Sequence, residues 1–224
     1  MLERNILIVD DSRAIDEDIK SYNYIFQGIK KEKGLDYVIN FTPTGNYDKA
    51  INMLTSDKIF DVVLIDYDLS MGGSGKTGDE LVKSIRESIN KHCKIIFYTM
   101  SNLQEVFPDR NDLVNLFNLG IYKFVTKDLK TQNPKRYGPP ANQLRVEAII
   151  EAIESIDIVQ LALERYFQKY LSLTNEDIIY VDGEDYSIED IINAIRKDLP
   201  VGKSFRENLM QSVLIDTLLR GNKA

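Results

Sequence analysis

Five side chains that suit phosphoryl chemistry lie at or just after the ends of short apolar runs. They are the acidic pair Asp10 and Asp11, followed by Asp66, Thr99 and Lys127. Transfer of a phosphoryl group to a carboxylate needs a nucleophilic Asp, a divalent cation and donors for the phosphoryl oxygens. Asp66 provides a nucleophile, while the hydroxyl of Thr99 and the ammonium of Lys127 provide donors.

The acidic side chains also suit a metal ion. Asp10, Asp11 and Asp66 offer the hard oxygen ligands that Mg²⁺ prefers, and the backbone carbonyl of Asp68 adds another. The chain has one cysteine and one histidine, which excludes both an internal disulfide and a Cys/His zinc cluster. The sequence therefore predicts a Mg²⁺ site built from carboxylates.

Strand and helix patterns explain how these residues come together. The first 127 residues alternate short apolar runs with amphipathic stretches, which is typical of parallel strands joined by crossover helices. The predicted strands are Ile6–Val9, Tyr37–Phe41, Val62–Ile65, Lys94–Thr99 and Tyr122–Val125. In a doubly wound sheet the carboxyl ends of the strands meet at one edge, so the acids, the hydroxyl and the amine are predicted to converge there.

This pattern resembles the receiver domains of response regulators over roughly residues 3–160. An acidic pair follows the first strand, Asp66 the third, Thr99 the fourth and Lys127 the fifth. The resemblance implies an α/β fold with a five-stranded, flavodoxin-like sheet, dependence on Mg²⁺, and phosphorylation of Asp66 by a histidine kinase or phosphotransfer protein. It also implies that Thr99 and Phe124, three residues before Lys127, form the switch.

Three features depart from the family pattern. The loop DYDLSMGGSGKTG after the third strand is longer and richer in glycine than usual. Met100 stands where a small residue is usual after Thr99, and Asp128 replaces the usual proline after Lys127. These departures leave every chemical group in place but bear on the rate of phosphorylation and on switching.

Other functions fit the sequence less well. GGSGKT lacks the first glycine of a nucleotide-binding P-loop, since that position is Ser70. Asp66 and Asp68 resemble the DxD of haloacid-dehalogenase-type phosphatases, but those enzymes place their additional acids downstream. A receiver-like module that docks without switching is the third alternative. The expectation is a signalling protein that is not an enzyme.

The remaining chain is predicted to be mostly helical. The predicted divisions are a receiver domain at 1–141, a long last helix at 142–172 and an output or interaction region at 173–224. A series of residues from Ile149 to Tyr170 recurs at alternating spacings of four and three and is apolar except at Gln160. This pattern fits either a homodimeric seam or a helix packed on its own domain.

Residues 173–224 contain signals for a small hairpin and two helices. Asp182-Gly183 suits a tight hairpin turn. Ser187 and Ser204 each stand three residues before an acid, the spacing of a helix cap, and Pro200 separates the two predicted helices.

Charge and hydropathy bear on partners and location. The net charge is −7, and residues 142–224 hold 15 acidic and 9 basic residues, a net −6. A phosphate-binding face needs basic residues, so the charge argues against DNA as a partner, and an unidentified output protein is expected instead. The sequence shows neither a signal-peptide layout nor a run of about 20 apolar residues, which predicts a cytoplasmic protein with no membrane contact.

Overall fold

A computed structural model defines the fold. It describes residues 2–56, 58–73, 75–89, 93–99, 106–126, 141–156, 160–161 and 178–221. Contacts between Cα atoms divide the chain into two compact units, Met1–Ser155 and Ile156–Ala224. The three-part division predicted at 141 and 172 stays a prediction, because 127–140 and 162–177 lie outside the described residues.

The first unit is a five-stranded parallel sheet flanked by helices. Its strands are β1 (Leu2–Val9), β2 (Tyr37–Thr44), β3 (Val62–Asp66), β4 (Lys94–Thr99) and β5 (Lys123–Thr126). Its helices are α1 (Ile15–Lys33), α2 (Tyr47–Thr55), α3 (Gly78–Ser84), α4 (Arg110–Asn118) and α5 (Ala141–Glu154). A short 3₁₀ turn covers Ser70–Gly72, and a π-helical turn, Ile85–Ile89, extends α3.

The strand order confirms the predicted fold class. Neighbouring strands run β2-β1-β3-β4-β5 and all pair in parallel, which is the flavodoxin-like doubly wound arrangement. Val9 lies opposite Ile65, and Asp66 lies opposite Tyr98, so β1, β3 and β4 end side by side. All five predicted strands are present, although β5 starts at Lys123, one residue later than predicted.

Residues alternate between the two faces of the sheet, as the period of a strand requires. Odd-numbered residues such as Ile65 and Phe97 pack in a core with α2, α3 and α4. We call this side the aromatic face. On the opposite side α5 packs against α1, and Arg145 of α5 contacts both Tyr22 of α1 and Tyr98 of β4. We call that side the α1/α5 face.

Helix α5 is shorter than predicted. It ends at Glu154 and Ser155 lies in a turn, so the single helix predicted over 142–172 is interrupted there. The Ser155 hydroxyl donates to the carbonyl of Ala152 at 2.8 Å, a local bond that competes with continued helix. Ile149 and Ile153 are buried in the first unit, so these two positions of the predicted seam pack within their own domain. The homodimer stays a prediction.

The second unit contains the predicted hairpin and two helices. Strands β6 (Ile178–Val181) and β7 (Glu184–Ser187) pair antiparallel around Asp182, whose φ of 52° is left-handed. Helix α6 (Ile188–Arg196) starts at the predicted Ser187 cap, with a reciprocal bond to Asp190.

The second predicted cap of this unit is wrong. Helix α7 (Pro200–Gly221) starts at Pro200, and Ser204 lies inside it. Proline is favoured in the first turn of a helix because its missing N–H has no partner to lose there. The proline that was predicted to separate two helices therefore starts the second one. Among the described residues, no helix is long and apolar enough to cross a membrane.

Candidate functional site

Three acids from two strand ends meet at the carboxyl edge of the sheet. Asp10, Asp11 and Asp66 each offer a carboxylate oxygen, and these atoms all lie within 4.8 Å of one another. Asp10 is 2% exposed and Asp66 5%, while Asp11 is partly buried. We call this cluster the acidic pocket. Carboxylates crowded this closely repel one another unless a cation or a proton offsets their charge.

The donor set of the acidic pocket suits a hard divalent cation. All its ligand atoms are carboxylate oxygens, the type that Mg²⁺ prefers over softer nitrogen or sulfur ligands. The predicted set also included the backbone carbonyl of Asp68. The side chain of Asp68 is exposed and accepts from the backbone N–H of Ser70 at 3.0 Å.

Both oxygens of Asp10 accept hydrogen bonds. Oδ1 accepts from the backbone N–H of Ser12 at 2.9 Å, and Oδ2 accepts from the hydroxyl of Tyr98 at 2.5 Å. Burial raises the pKa of Tyr98 well above its usual value, with the nearby charge of Asp10 as a second cause, so the hydroxyl stays a donor. Sequence analysis missed Tyr98. The available signal was its even position in β4, which places it on the same face as Asp10.

The long glycine-rich loop returns to the acidic pocket. The backbone N–H of Gly72 donates to Oδ2 of Asp11 at 2.9 Å, and its carbonyl accepts from Nδ2 of Asn46 at 2.9 Å. A Cβ at Gly72 would lie 2.0 Å from the carbonyl oxygen of Gly45, so only glycine permits this approach. The loop that departs from the family pattern therefore contributes a donor to the site.

A second glycine packs directly on the backbone of Asp66. A Cβ at Gly78 would lie 2.1 Å from the carbonyl oxygen of Asp66, and the Gly78 N–H donates to the carbonyl of Tyr67 at 2.8 Å. Helix α3 starts here with a capping box between Thr77 and Glu80. The close approach fixes the backbone that holds Asp66.

The two predicted switch residues, Thr99 and Phe124, lie in neighbouring strands. Thr99 ends β4 and is 2% exposed. Phe124 is half-buried in β5, with its ring centroid 5.8 Å from that of Phe97. The rings of Tyr67 and Phe107 lie 5.5 Å apart and both neighbour Phe97, which connects Phe124 to the residue after Asp66. Lys127, Met100 and Asp128 lie outside the described residues.

Comparisons with known proteins bear on the fold. No protein-family model matches the sequence, and no curated protein matches it. A response regulator receiver protein from Pseudomonas putida is 19% identical with a TM-score of 0.45, covering 67% of this chain and 98% of that one. A signal receiver domain of two-component signal transduction (histidine kinase) from Clostridium thermocellum is 14% identical with a TM-score of 0.44, covering 67% and 97%.

A third solved structure is the N-terminal domain of a response regulator/sensory box/GGDEF 3-domain protein from Carboxydothermus hydrogenoformans. It is 18% identical with a TM-score of 0.42, and the match covers 67% of this chain and 94% of that one. At such identities a likeness concerns the fold alone. The flavodoxin-like fold implied by the resemblance is confirmed by the strand order, and Asp10, Asp11 and Asp66 lie close together in it. A proposal about function must therefore rest on the geometry of the site.

Proposed function

We propose that the first unit acts as a receiver that accepts a phosphoryl group on Asp66. The observation that supports this most directly is the acidic pocket, in which three carboxylates lie within 4.8 Å at the ends of adjacent strands. The phosphoryl donor is a phosphohistidine of a histidine kinase or phosphotransfer protein. A carboxylate oxygen of Asp66 attacks phosphorus and the P–N bond breaks, which gives an acyl phosphate on Asp66. The imidazole leaves as a neutral ring because its other nitrogen already carries a proton in the reacting phosphohistidine.

The neighbouring groups have distinct roles in this proposal. Asp10 and Asp11 hold Mg²⁺, which when bound offsets the negative charge of the carboxylates and of the phosphoryl oxygens. The hydroxyl of Thr99 donates to a phosphoryl oxygen, and the ammonium of Lys127 pairs with another. Thr99 and Phe124 then form the switch, since Phe124 is only half-buried and borders an aromatic cluster that includes Tyr67.

A second candidate function is supported by the glycine-rich loop. The backbone N–H of Gly72 already donates to an oxygen of Asp11, and Asp10 and Asp66 are themselves almost fully buried. This arrangement favours a module that binds partners without accepting a phosphoryl group. The two candidates differ in whether Asp66 becomes modified.

We further propose that the protein does not turn over phosphate esters. A haloacid-dehalogenase-like mechanism needs the side chain of Asp68 as an acid and base next to Asp66. That side chain is exposed and accepts from Ser70 in its own loop. We therefore expect no hydrolysis of a generic aryl phosphate. If the wild type released the phenol and Asp68→Asn did not, the proposal would be contradicted.

The second unit is proposed to act through protein contacts. Its net charge opposes a nucleic-acid face, and the C-terminal half of α7 exposes Val213, Leu214 and Leu218, each by more than half. Exposed apolar side chains at helical spacing are typical of a helix that binds another protein surface. The output partner is unidentified, and a cytoplasmic location stays a prediction.

Intact mass spectrometry tests the phosphoryl-accepting function. The full chain is incubated with Mg²⁺ and acetyl phosphate, and Asp66→Asn is compared with Asp68→Asn, the same change two residues further along the chain. We expect a Mg²⁺-dependent gain of one phosphoryl mass in the wild type and in Asp68→Asn, with none in Asp66→Asn. No gain in any protein, together with no change in tyrosine fluorescence on adding beryllofluoride, would support the docking module instead.

A further inference from the structure

A buried polar chain leads away from the acidic pocket across the α1/α5 face. The hydroxyl of Tyr98 donates to Oδ2 of Asp10, and the guanidinium carbon of Arg145 lies 4.9 Å above the centroid of the Tyr98 ring. Tyr98 has no exposed surface and Arg145 is 5% exposed. Cation–π contacts strengthen when both groups are removed from water, so Arg145 helps to fix the orientation of the ring.

Arg145 is itself anchored to helix α1. Its Nη1 donates to the hydroxyl of Tyr22 at 2.5 Å and to Oδ1 of Asn142 at 3.1 Å, and lies 3.9 Å from Oδ2 of Asp18. Asn142 also donates to the other oxygen of Asp18 at 3.0 Å. The chain of contacts therefore runs from Asp10, the residue after β1, through β4 to both helices of this face.

Polar groups are costly at this position. A buried guanidinium loses hydration that its partners must replace, and an apolar side chain would fill the same space at lower cost. Most other buried strand residues of this face are apolar, among them Ile6, Ile8, Leu64 and Ile96, and the buried Arg4 at the start of β1 pairs with Asp61 instead. Packing alone thus gives no reason for an arginine and two tyrosines that lead to a carboxylate of the site.

The contacts of Tyr98 and Arg145 can fix the orientation of the Asp10 carboxylate. The bonds from Ser12 and Tyr98 occupy one position on each carboxylate oxygen of Asp10. An oxygen of Asp10 still lies within 4.8 Å of oxygens of Asp11 and Asp66. Groups that hydrogen-bond to a metal ligand fix its direction, and their loss typically weakens metal binding by roughly 10- to 100-fold.

We propose that Tyr98 is a positioning residue for Asp10, and that Arg145 holds Tyr98 so that cation binding in the acidic pocket is coupled to helix α5. The inference rests on the proposed function in one respect, that the acidic pocket binds a divalent cation. The route lies on the opposite side of the sheet from Phe124. Coupling is reciprocal, so a contact that stabilises α5 also favours the cation.

Cation affinity in the full chain tests the role of Tyr98. Free Mn²⁺ is measured by electron paramagnetic resonance during titration, with Mg²⁺ as competitor, for wild type, Tyr98→Phe and the matched control Tyr22→Phe. Tyr98→Phe keeps the ring beneath Arg145 but removes the donor to Asp10, so the dissociation constant should rise at least about 10-fold. Tyr22→Phe removes a hydroxyl from the same chain without touching Asp10, so its affinity should change less than about threefold.

Hydrogen exchange tests the coupling to α5. Mg²⁺ should slow exchange of the amides of residues 141–154 in the wild type and much less in Tyr98→Phe. Arg145→Gln, which loosens the ring without touching Asp10, should fall between Tyr98→Phe and Tyr22→Phe in affinity. If thermal melting shows that Tyr98→Phe does not fold, the inference is tested by whether Arg145→Gln binds Mn²⁺ more weakly than Tyr22→Phe.

The outcomes separate this inference from the proposed function. Equal Mn²⁺ affinity in Tyr98→Phe and wild type, with phosphorylation intact, would overturn the inference alone. Weaker binding in Tyr98→Phe without any Mg²⁺ effect on α5 exchange in the wild type would overturn the coupling. A wild type that takes up no Mn²⁺ at millimolar concentration would overturn both the inference and the Mg²⁺-dependent function.

Discussion

The two faces of the central sheet are built differently, although the same strands form both. On the aromatic face, Phe97 contacts the rings of Tyr67, Phe107 and Phe124 around an apolar core. On the α1/α5 face, the apolar core is crossed by a chain of hydrogen bonds and charges that starts at Asp10. The polar chain of the α1/α5 face therefore starts at Asp10, whereas the aromatic cluster includes Tyr67, the residue after Asp66.

The two faces should therefore differ in how they respond to a change at the candidate site. Aromatic rings packed by dispersion can shift without leaving a buried polar group unpaired, which suits a side chain that changes position. A buried charged chain tolerates less displacement, because each broken bond leaves a buried polar group without a partner. We therefore expect the aromatic face to move and the α1/α5 face to hold its geometry.

The largest effect is expected where the aromatic face meets the backbone of Asp66. In Gly78→Ala the new Cβ would lie 2.1 Å from the Asp66 carbonyl oxygen and 3.0 Å from Cγ2 of Ile65. Helix α3 must then move away from the sheet, which should lower the free energy of unfolding by about 3 kcal/mol in urea denaturation.

Gly28→Ala is the matched control for this prediction. Gly28 lies inside α1, and a Cβ there would meet no atom within 4 Å. Alanine favours helix over glycine by up to about 1 kcal/mol, so this variant should be slightly more stable than the wild type. Similar losses in the two variants would show that the contact between Gly78 and Asp66 does not hold α3 in place.

Sequence analysis located the acids but missed what orients them. Runs such as Val62–Ile65 specify buried strands, and parallel strand ends must share an edge, so the position of Asp66 followed from the pattern. The even position of Tyr98 places it on the same face as Asp10, but tyrosine is common in strands for its packing alone, so this signal did not identify it as a donor. The bond from Gly72 depends on the path of a long loop, which local sequence does not determine. Ser204 matched a cap by spacing, but Pro200 had already started the helix.

An intermediate effect is expected for the α1/α5 face at high pH. Burial raises the pKa of Tyr22 to about 12, although the positive charge of Arg145 partly opposes this. The folded protein therefore keeps a proton that the unfolded chain loses from about pH 10. This stabilisation is complete below pH 10 and is lost as the pH approaches 12, which amounts to about 2 kcal/mol.

Urea denaturation at several pH values between 8 and 12 measures this loss. Tyr22→Phe should lose less stability than the wild type over that range, because it lacks the titrating hydroxyl. Tyr24→Phe is the control, since Tyr24 lies on the same helix and is 83% exposed. It should follow the wild-type curve. Parallel curves for all three proteins would mean that the tyrosine of the buried chain contributes no pH dependence.

The smallest effect is expected for Phe124, and it tests the comparison from the aromatic side. Phe124→Leu removes the ring contact with Phe97 but keeps most of the apolar volume of a half-buried residue, so the loss should be about 1 kcal/mol. Phe117→Leu, at a 48% exposed position of α4, should change stability by less than about 0.5 kcal/mol.

Cation binding and phosphorylation separate the two faces once these stabilities are known. If the aromatic face responds to phosphorylation but does not hold the acids in position, Phe124→Leu should leave the Mn²⁺ affinity and the phosphoryl gain at Asp66 unchanged. Its effect should then appear only in how tyrosine fluorescence responds to beryllofluoride, because Tyr67 borders the same cluster. A tenfold loss of Mn²⁺ affinity in Phe124→Leu would show instead that both faces position the acids, and the contrast between a mobile face and a fixed one would fail.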